Sequence, residues 1–510
     1  MQCKKIFLSL VMVCMIIATG IAPAWAADVK EVIVLSVNDF HGNLLENSHA
    51  PGLAKLAGLL RDEQKQAQGK TILLSAGDMF QGEMESNITL GAPVIAGMNA
   101  LEFTAMCLGN HEFDWGLETM QSRLKEACFP FLAANIVDAK GAYLPKVKPY
   151  TIVKRNGIKV GIIGLTTPQT KVAVNPKYVE GLTFLDGVQT VNKLVPELKA
   201  KGAEVIVVLA HMGSEAAADG VEKGEIIELA KQVTGVDLIV SGHTHRIVNT
   251  KVNGIPIVQA GKYGNAYGKV KIEYDEKAKK VVAVTPEIVK IEKEKVAADM
   301  EFAEYVRYID TKVSYLKNEK VGETAVLLWH NRYGESLLGQ WVTDVIRQTE
   351  KADIAVMNGG GLRNDIAKGV VTKGNLYATV PFDNTLVKTQ LTGREIKELL
   401  EYGLGNNGHG LLQFSGITVT FDDNQTEGNK ITQILLPDGS PIDFDAEYTV
   451  ATIDFIAAGG DGIDAFKNKK IIEEGKLLRD ALQESFVIDK PLNITLDKRL
   501  IILQANLLAG

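Results

Sequence analysis

The chain has 510 residues, of which 46% are hydrophobic and 23% charged, and its formal net charge is −7. This balance excludes a disordered or collagen-like polymer, and the length predicts two or three globular domains. The negative net charge argues against broad binding to nucleic acid or to a membrane surface, so an anionic ligand would need local positive charge.

The first 26 residues have the order of a secretory signal peptide. Lys4 and Lys5 give a basic start, residues 6–21 are apolar and uncharged, and Ala24-Trp25-Ala26 offers a small-x-small cleavage site. A retained membrane anchor is the alternative, but the apolar run is short for a spanning helix, which needs about 20 residues. We expect export to the periplasm or the medium, without a stable anchor after cleavage.

Export changes how the four cysteines are interpreted. Cys3 and Cys14 would leave with the signal, so that Cys107 and Cys128 remain. Two cysteines do not make a disulfide framework. Either one bridge or two buried thiols is compatible with this pattern.

The first half of the mature chain alternates short apolar runs with helical stretches. Such alternation predicts an α/β domain whose sheet is buried on both faces. Residues 53–66 and 188–199 are predicted connecting helices. The predicted strands are 32–37, 71–74, 103–108, 159–165, 204–209, 236–240 and 255–258.

A charged, helix-favouring segment interrupts this alternation between Lys290 and Lys320. We interpret it as a linker helix with an apolar stripe of Met300, Tyr305, Tyr308 and Val313. The predicted organisation is a signal peptide (1–26), a first domain (27–290), the linker helix (291–320) and a second domain (321–510). The second domain shows a mixed pattern, with predicted helices at 334–348 and 394–402 and strands at 354–357, 417–421 and 448–452.

Polar side chains follow the predicted strands of the first domain at the points where those strands end. Five of the eight histidines occupy such positions, accompanied by aspartates and an asparagine. In open α/β sheets the carboxyl ends of the strands form the ligand-binding edge. Imidazole, carboxylate and carboxamide together suit two divalent ions, which could hold a phosphoryl group for attack by water. The residues concerned are Asp39, His41, Asp78, Asn110, His111, His211, His243 and His245.

His111 and Asp114 lie three residues apart within the segment GNHEFD. On a helical turn these two side chains would meet. A carboxylate orients its imidazole partner and favours the protonated form, so His111 could stabilise phosphoryl charge or donate a proton. A local capping network around Asn110 is the structural alternative.

The motifs NDFHG, GDMFQGE, GNHEFDWG, AHMG and GHTH, in this order, resemble those of calcineurin-like metallophosphoesterases, and more closely those of the secreted 5′-nucleotidase family. The likeness continues through NGGGLRNDI, VPFDN, LTGREIKELLE, LLQFSG and ATIDFIAAGGDGI. It implies an α/β fold with an N-terminal four-layer sandwich and a C-terminal α+β substrate-binding domain. It also implies one metal on Asp39, His41 and His245, a second on Asn110, His211 and His243, and Asp78 as the bridge. His111 and Asp114 match the catalytic pair of the family.

The resemblance assigns substrate recognition to the second domain. Arg332, Asn358 and Arg363 match positions that contact phosphate or nucleoside, while Phe455 and Asp461 match a base-stacking aromatic and a ribose-binding carboxylate. Leu411 stands where the family usually has a second stacking phenylalanine. This departure does not affect the predicted metal ligands, but it leaves the base or leaving group of the substrate undetermined.

The sequence therefore predicts an exported, two-metal hydrolase of nucleotides, which converts 5′-nucleoside monophosphates to nucleoside and phosphate, with di- and triphosphates as additional candidate substrates. The alternatives within this family are a 2′,3′-cyclic-nucleotide phosphodiesterase, a UDP-sugar hydrolase and a thiosulfohydrolase-like relative. An exported binding protein on an inactive scaffold would have lost ligands, whereas all seven predicted metal ligands are present. The implied cofactors are two divalent ions such as zinc or manganese, and the implied partner is a small nucleotide rather than a nucleic acid.

Overall fold

A computed structural model of the protein describes residues 29–216, 222–405, 409–487 and 489–503. The predicted signal peptide, with Cys3 and Cys14, lies outside the described residues, as does the end of the chain from residue 504. Within the described part, no helix is both long and apolar enough to cross a membrane.

The N-terminal domain is built on two six-stranded sheets. Each sheet has a parallel centre, and antiparallel pairs extend it at one or both sides. The first sheet has the spatial order Lys280–Lys290, Ala266–Asp275, Val29–Val37, Thr71–Ser75, Ala105–Cys107 and Phe131–Leu132. The second has the order Ile247–Val252, Ile255–Ala260, Leu238–Ser241, Val205–His211, Ile158–Thr166 and Tyr150–Arg155.

Both faces of each sheet are buried, and successive side chains along a strand pack on opposite faces. Val32 and Val34 point into the core between the two sheets, whereas Leu35 points to the opposite face, which the helices cover. In the second sheet Val207 faces the inter-sheet core and Val208 faces the helices. Because successive side chains of a strand point to opposite faces, only continuous apolar runs satisfy both layers. The result is the four-layer sandwich that the resemblance implied.

Helices cover the outer faces of both sheets. Gly52–Gln66 and Gly187–Ala200 extend the two predicted connecting helices by one residue at one or both ends. All seven predicted strands are present, although Ala105–Cys107 is only three residues long. The other helices of this domain are Met84–Asn87, Ala92–Ala100, Gly116–Glu126, Thr170–Ala173 and Glu225–Gln232.

The helix Met300–Lys317 connects the two domains, and the Asp299 side chain caps it by accepting a hydrogen bond from the Phe302 N–H at 3.1 Å. The predicted apolar stripe was wrong for two of its residues, since Met300 is 81% exposed and Tyr308 58% exposed. The buried side chains are Phe302, Val306 and Val313. Their spacings of four and seven residues match the helical period better than the predicted stripe did.

The C-terminal domain is α+β. Its five-stranded sheet has the order Leu412–Ser415, Ile354–Asn358, Glu447–Ile453, Thr385–Thr392 and Glu473–Leu477. Its second sheet has the order Ile431–Leu435, Thr418–Asp422 and Leu500–Leu503, and Lys320–Thr324 pairs with Gly369–Thr372. The helices are Leu337–Glu350, Lys373–Thr379, Gly393–Leu404, Asp454–Ala457 and Leu478–Glu484.

The two remaining cysteines are both free thiols. Cys107 is buried in the inter-sheet core, whereas Cys128 is exposed. The disulfide alternative is therefore wrong, and the expectation of two buried thiols holds only for Cys107.

Candidate active site

The ends of the parallel strands bring the predicted metal ligands to one edge of the sandwich. Asp39, His41, Asp78, His243 and His245 all have positive φ angles, between 50° and 86°. Non-glycine residues seldom adopt this left-handed region, and such strain persists where the surroundings impose it, often at functional sites. The backbone thus turns sharply at each of these residues and directs its side chain to a common centre.

The first group of candidate ligands consists of Asp39, His41 and His245. The Nε2 atoms of His41 and His245 are 3.0 Å apart, and His245 Nε2 lies 3.5 Å from Asp39 Oδ1. Asp39 and His41 are fully buried, while His245 is half-buried. Three ligand atoms of suitable chemistry therefore converge on one point.

The second group consists of Asp78, His211 and His243, with Asn110 beside them. His211 Nε2 lies 3.0 Å from Asp78 Oδ2 and 3.1 Å from Asn110 Oδ1. His243 Nδ1 lies 3.0 Å from the same amide oxygen. The structure thus brings all four side chains together, with the Asn110 oxygen between the two imidazoles.

Asp78 lies between the two groups. Its Oδ2 atom, which is 3.0 Å from His211 Nε2, is also 4.0 Å from His41 Nε2. Its Oδ1 atom accepts a hydrogen bond from the His111 N–H at 2.9 Å. One carboxylate therefore reaches both groups, which is the placement that a bridging ligand needs.

Backbone carbonyls fix the tautomers of two of the histidines. His41 Nδ1 lies 2.8 Å from the Gln81 carbonyl oxygen, and His211 Nδ1 lies 2.6 Å from that of Ala76. A carbonyl can only accept, so each Nδ1 carries the hydrogen and each Nε2 is left for a ligand. This second contact is typical of metal-binding histidines.

Burial keeps most of these imidazoles neutral. It lowers the pKa of His41 and of His243 to about 3, and it also holds the pKa of His245 well below its usual value. Burial opposes charge on His211 too, but Asp78 outweighs it and raises the pKa of His211 to about 10. An ion entering the second group would therefore displace the proton that His211 shares with Asp78.

Two glycines permit the close approach of the loops. A Cβ atom on Gly109 would lie within 2.5 Å of the Asp78 nitrogen and closer still to its carboxylate. A Cβ atom on Gly77 would lie 2.6 Å from the Gly109 nitrogen, and Gly77 also has a φ of +88°. Both positions therefore require glycine for the bridging aspartate to keep its place.

Sequence reasoning missed Glu112, which is buried behind the bridging aspartate. One carboxylate oxygen accepts hydrogen bonds from the N–H groups of Gly109 and Asp78 at 2.7 and 2.9 Å, and the other accepts from Met79 at 2.8 Å. Glu112 thus ties the loops after two strands to each other. Its position inside the motif GNHEFD was the available signal.

Asn38 supports the first group in a similar way, and sequence reasoning missed it too. Its amide nitrogen donates to Asp39 Oδ2 at 2.6 Å and to the Gly261 carbonyl at 2.7 Å. Its oxygen accepts from the Ala260 N–H at 2.8 Å. The amide therefore links the ligand loop after the first strand to a strand end of the second sheet.

His111 and Asp114 form the predicted pair. His111 Nδ1 lies 2.8 Å from Asp114 Oδ2, and the short turn His111–Phe113 supplies the spacing. Burial opposes charge on His111, but Asp114 and Asp78 outweigh it and raise the pKa of His111. The arrangement holds a proton on Nδ1 and leaves Nε2 as the remaining ring nitrogen.

The predicted substrate residues line the same cleft as these groups. This cleft has a volume of about 700 Å³ and lies between the two domains. Its walls include Asp78, Asn110, His111, Asp114, His243 and His245 from one domain, and Arg332, Asn358, Arg363, Phe455 and Asp461 from the other. The side chains that the resemblance assigns to phosphate, base and ribose thus surround one space.

Leu411 is the exception among the predicted substrate residues. It is not among the described residues that line the cleft, and its side chain packs against the core of the C-terminal domain. Its backbone does support the site, because its N–H donates to the Arg332 carbonyl at 2.8 Å and its carbonyl accepts from Gly359 at 3.1 Å. The role of this side chain in substrate binding therefore stays a prediction.

Asn358 and Asp461 form a buried polar pair in the cleft wall. The Asn358 amide donates to Asp461 Oδ2 at 2.6 Å, while the Tyr402 hydroxyl donates to the Asp461 carbonyl at 2.7 Å. The Asn358 Oδ1 atom is buried and has no hydrogen-bond partner. A ligand hydroxyl group would satisfy that acceptor.

The donor set fits two divalent ions. One ion would be held by Asp39, His41 and His245, and the other by Asn110, His211 and His243, with Asp78 shared. The fit rests on the neutral imidazoles of His41, His243 and His245. It also rests on the backbone carbonyls that hold the Nδ1 hydrogens of His41 and His211, and on the carboxylate and carboxamide oxygens at the same points.

Comparisons with known proteins agree with this geometry. The family descriptions "Calcineurin-like phosphoesterase" and "5′-nucleotidase, C-terminal domain" match residues 33–246 and 316–468. The chain is 31% identical to Endonuclease YhcR of Bacillus subtilis over 83% of its length, but it spans only 37% of that relative. It also spans only 32% of the Trifunctional nucleotide phosphoesterase protein YfkN of the same organism.

Other relatives match over nearly their whole length. A 5′-nucleotidase of Vibrio cholerae is 30% identical, with 92% of this chain and 94% of the relative covered. The crystal structure of a 5′-nucleotidase precursor from Thermus thermophilus has a TM-score of 0.81 and 30% identity, covering 93% of this chain and 100% of that one. The chain therefore belongs to the 5′-nucleotidase family and carries a calcineurin-like phosphoesterase domain.

Proposed function

We propose that the protein is an exported, two-metal hydrolase of 5′-nucleoside monophosphates, which it converts to nucleoside and inorganic phosphate. Nucleoside di- and triphosphates are further candidate substrates. The observation that carries the proposal is the shared cleft, which has members of both groups of candidate metal ligands on one wall and two arginines, an aromatic ring and a carboxylate on the other. A nucleotide presents the complementary features, namely an anionic phosphate, a ribose and a flat base.

When bound, the two divalent ions supply Lewis acidity, which acidifies water and offsets the charge of a phosphoryl group. Asp39, His41 and His245 would hold one of them, and Asn110, His211 and His243 the other, with Asp78 as the bridge. The remaining steps concern the side chains of the protein. Arg332 and Arg363 orient the phosphate, because a guanidinium group matches the geometry of two phosphate oxygens.

His111 would act on the leaving group. Its Nδ1–H donates to Asp114, so that Nε2 is the atom that can hold the transferable proton. A water oxygen bonds to phosphorus as the bond between phosphorus and the ribose O5′ breaks. The proton passes from Nε2 to O5′, so that the nucleoside leaves as a neutral alcohol and inorganic phosphate keeps the oxygen of the water. Asp114 stabilises the imidazolium form before transfer and keeps the ring oriented.

The C-terminal domain would recognise the nucleoside. Phe455 offers a ring on which any base can stack, at a stabilisation of about 1–3 kcal/mol. Asp461 and Asn358 lie next to each other in the cleft wall, so that two ribose hydroxyls could bind side by side. The predicted boundaries (27–290, 291–320 and 321–510) assign these roles to separate domains, and the signal-peptide pattern of residues 1–26 supports export.

The placement of Leu411 supports a second set of candidate substrates. Since its side chain packs on the domain core instead of lining the cleft, the predicted clamp keeps only Phe455 as a stacking ring. A one-sided clamp would select less strictly for a free mononucleotide. The candidates are 2′,3′-cyclic nucleotides and UDP-sugars, with a carrier-bound thiosulfate as a further alternative.

The test is phosphate release by the mature protein with manganese, zinc or a chelator. The substrates are AMP, ADP, UDP-glucose, 2′,3′-cyclic AMP and p-nitrophenyl phosphate, and a coupled phosphatase detects the diester products. Metal-dependent release from AMP at the highest kcat/KM supports the proposal. Highest activity on another substrate would reassign the substrate, and no hydrolysis of any substrate by metal-loaded protein would overturn the proposal.

His111→Ala tests the assigned proton donor. Turnover of AMP should fall by about 10²–10⁴-fold, because a positioned acid contributes that much to such a reaction. The bound metal content should stay unchanged, since His111 belongs to neither group of candidate ligands. Unchanged turnover would remove His111 from the mechanism.

A further inference from the structure

A turn of the C-terminal domain reaches across the cleft to the His111–Asp114 pair. Residues 380–384 form this turn, and the Phe382 ring stacks on the His111 imidazole with centroids 5.7 Å apart and an interplanar angle of 28°. Phe382 is half-buried and lines the cleft. Among the described residues, Phe382 is the aromatic side chain of the second domain that stacks on the proposed proton donor of the first.

The turn is held in place by a buried cation. Arg479 is only 6% exposed, and its Nη1 donates to the carbonyl oxygens of Val380 and Phe382 at 2.9 and 2.7 Å. The same guanidinium pairs with the Asp383 carboxylate and lies 4.0 Å from the centroid of the Tyr377 ring. The position of Phe382 is therefore imposed by its own domain rather than by His111.

A hydrogen bond from the N-terminal domain anchors the neighbouring residue. The Asn87 amide donates to the Pro381 carbonyl at 3.0 Å, and both groups are buried. The centroid of the Phe382 ring also lies 5.9 Å from the guanidinium carbon of Arg363, one of the two proposed phosphate-binding arginines. Phe382 thus contacts a proposed phosphate ligand and the proposed acid at the same time.

The hydrogen bond to Asp114 does not by itself fix the orientation of the imidazole ring. A single hydrogen bond at Nδ1 fixes one ring atom, but the ring can still rock about that bond and move Nε2. A flat ring packed on the imidazole face removes this freedom and keeps water from that face. Misplacement of a reacting group by about 1 Å can cost about 10²-fold in rate.

We propose that Phe382 is a positioning residue for His111. Its ring holds the imidazole so that Nε2 faces the leaving oxygen, and it does so only when the C-terminal domain is docked on the N-terminal domain. The domain proposed to bind the nucleoside thereby also supplies the residue that orients the proposed acid. This inference rests on the role proposed above for His111, and it adds that the role depends on a residue of the other domain.

A double-mutant cycle tests the inference on the full-length mature protein. The variants are Phe382→Ala, His111→Ala and the double variant, with Phe382→Tyr as the conservative replacement. Phe444→Ala is the matched control, because Phe444 lies in the same domain but is 43% exposed and is not part of the cleft wall. Each variant is assayed for kcat and KM on the phosphoester that the wild-type protein hydrolyses fastest.

The expected result is a loss in kcat that depends on His111. Phe382→Ala should lower kcat by about 10- to 100-fold with little change in KM. In the His111→Ala background the same change should alter kcat by less than about twofold, because the effect passes through the imidazole. Phe382→Tyr should keep most of the wild-type kcat, and Phe444→Ala should keep all of it.

Two kinetic results would overturn the inference. If Phe382→Ala lowers kcat by the same factor with and without His111, the ring acts independently of the imidazole. If only KM rises, Phe382 is a wall of the binding site and does not position His111. Comparison of thermal unfolding with the Phe444→Ala control separates either result from a general loss of the fold.

A readout without turnover separates this inference from the proposed function. The ring-proton resonance of His111, identified by its loss in His111→Ala, should move in Phe382→Ala because the ring current of Phe382 disappears. An unchanged resonance would contradict the contact, whatever the activity. A shifted resonance in a protein that hydrolyses no phosphoester would refute the proposed function but leave the interdomain contact intact.

Discussion

Glu112→Gln is the substitution whose consequence the site geometry defines most closely. The wild-type carboxylate accepts three backbone hydrogen bonds, from Gly109, Asp78 and Met79, at distances between 2.7 and 2.9 Å. Glutamine has almost the same shape but only one acceptor oxygen. Whichever way the amide is turned, its NH₂ group must face at least one N–H donor.

The smaller loss arises when the amide nitrogen replaces the oxygen that faces Met79. One hydrogen bond to a carboxylate is then lost, and one buried N–H is left without an acceptor, at a cost of about 1–3 kcal/mol. The amide NH₂ group and the Met79 N–H are both donors, so they are pushed apart. The loop after the second strand, which carries Asp78, moves with Met79. Because Asp78 contacts both groups of candidate ligands, we expect metal affinity to fall by about 10- to 100-fold.

Metal affinity is measured by competition with a chromophoric chelator, and the free energy of unfolding by denaturant titration of metal-free protein. Glu118→Gln is the matched control, since Glu118 is an exposed glutamate in the helix that follows the same motif. A Glu112→Gln protein that matches this control in both measurements would refute the idea that Glu112 holds the bridging aspartate in place.

Three further predictions concern stability and specificity. Burial raises the pKa of Glu83 from 4.5 to about 7, so its ionised form opposes folding above that pH. Glu83→Gln should therefore leave the free energy of unfolding unchanged below pH 4.5 and raise it by up to about 3 kcal/mol above pH 7, at 1.36 kcal/mol per pKa unit. Glu304→Gln, at an exposed glutamate of the connecting helix, is the control, and a Glu83→Gln curve equal to the Glu304→Gln curve would contradict the assignment. Gly109→Ala should weaken metal binding by at least about 10-fold, because the added Cβ collides with Asp78. Bound metal is measured after dialysis, and metal retained at the wild-type level would contradict this prediction. Leu411→Phe should lower the free energy of unfolding by about 1–3 kcal/mol, because the larger ring overpacks the core of the C-terminal domain. It should leave KM for AMP within about twofold of the wild-type value. A markedly lower KM would show that the side chain at this position does reach the substrate.

The sandwich was predictable because its strands are buried on both faces. Runs such as 72–74 and 205–210 are continuously apolar, and they end abruptly in polar residues at the sheet edge. That pattern predicts both the position of each strand and the edge of the sheet at which the ligands lie. The convergence of Asp39, Asp78 and His211 follows from parallel strands, whose carboxyl ends share an edge.

Contacts between distant segments were less predictable. The face of the connecting helix was misassigned because its stripe included Met300 and Tyr308, which are exposed, and left out Phe302 and Val306, which are buried. Glu112 was overlooked because the motif GNHEFD marks its position but not its partners, which are backbone N–H groups of two loops. Phe382 was overlooked because its stacking on His111 depends on how the two domains dock, and a local motif does not record that.

The central claim is that the two groups of ligands hold two ions that act together in one cleft on a nucleotide. The most direct measurement is stepwise addition of Mn²⁺ to chelator-stripped protein, with bound metal and phosphate release from AMP recorded at each step. The account predicts two bound ions per chain and activity that appears with the second. Full activity in the stripped protein, or binding of two ions without any release of phosphate from AMP, would contradict it.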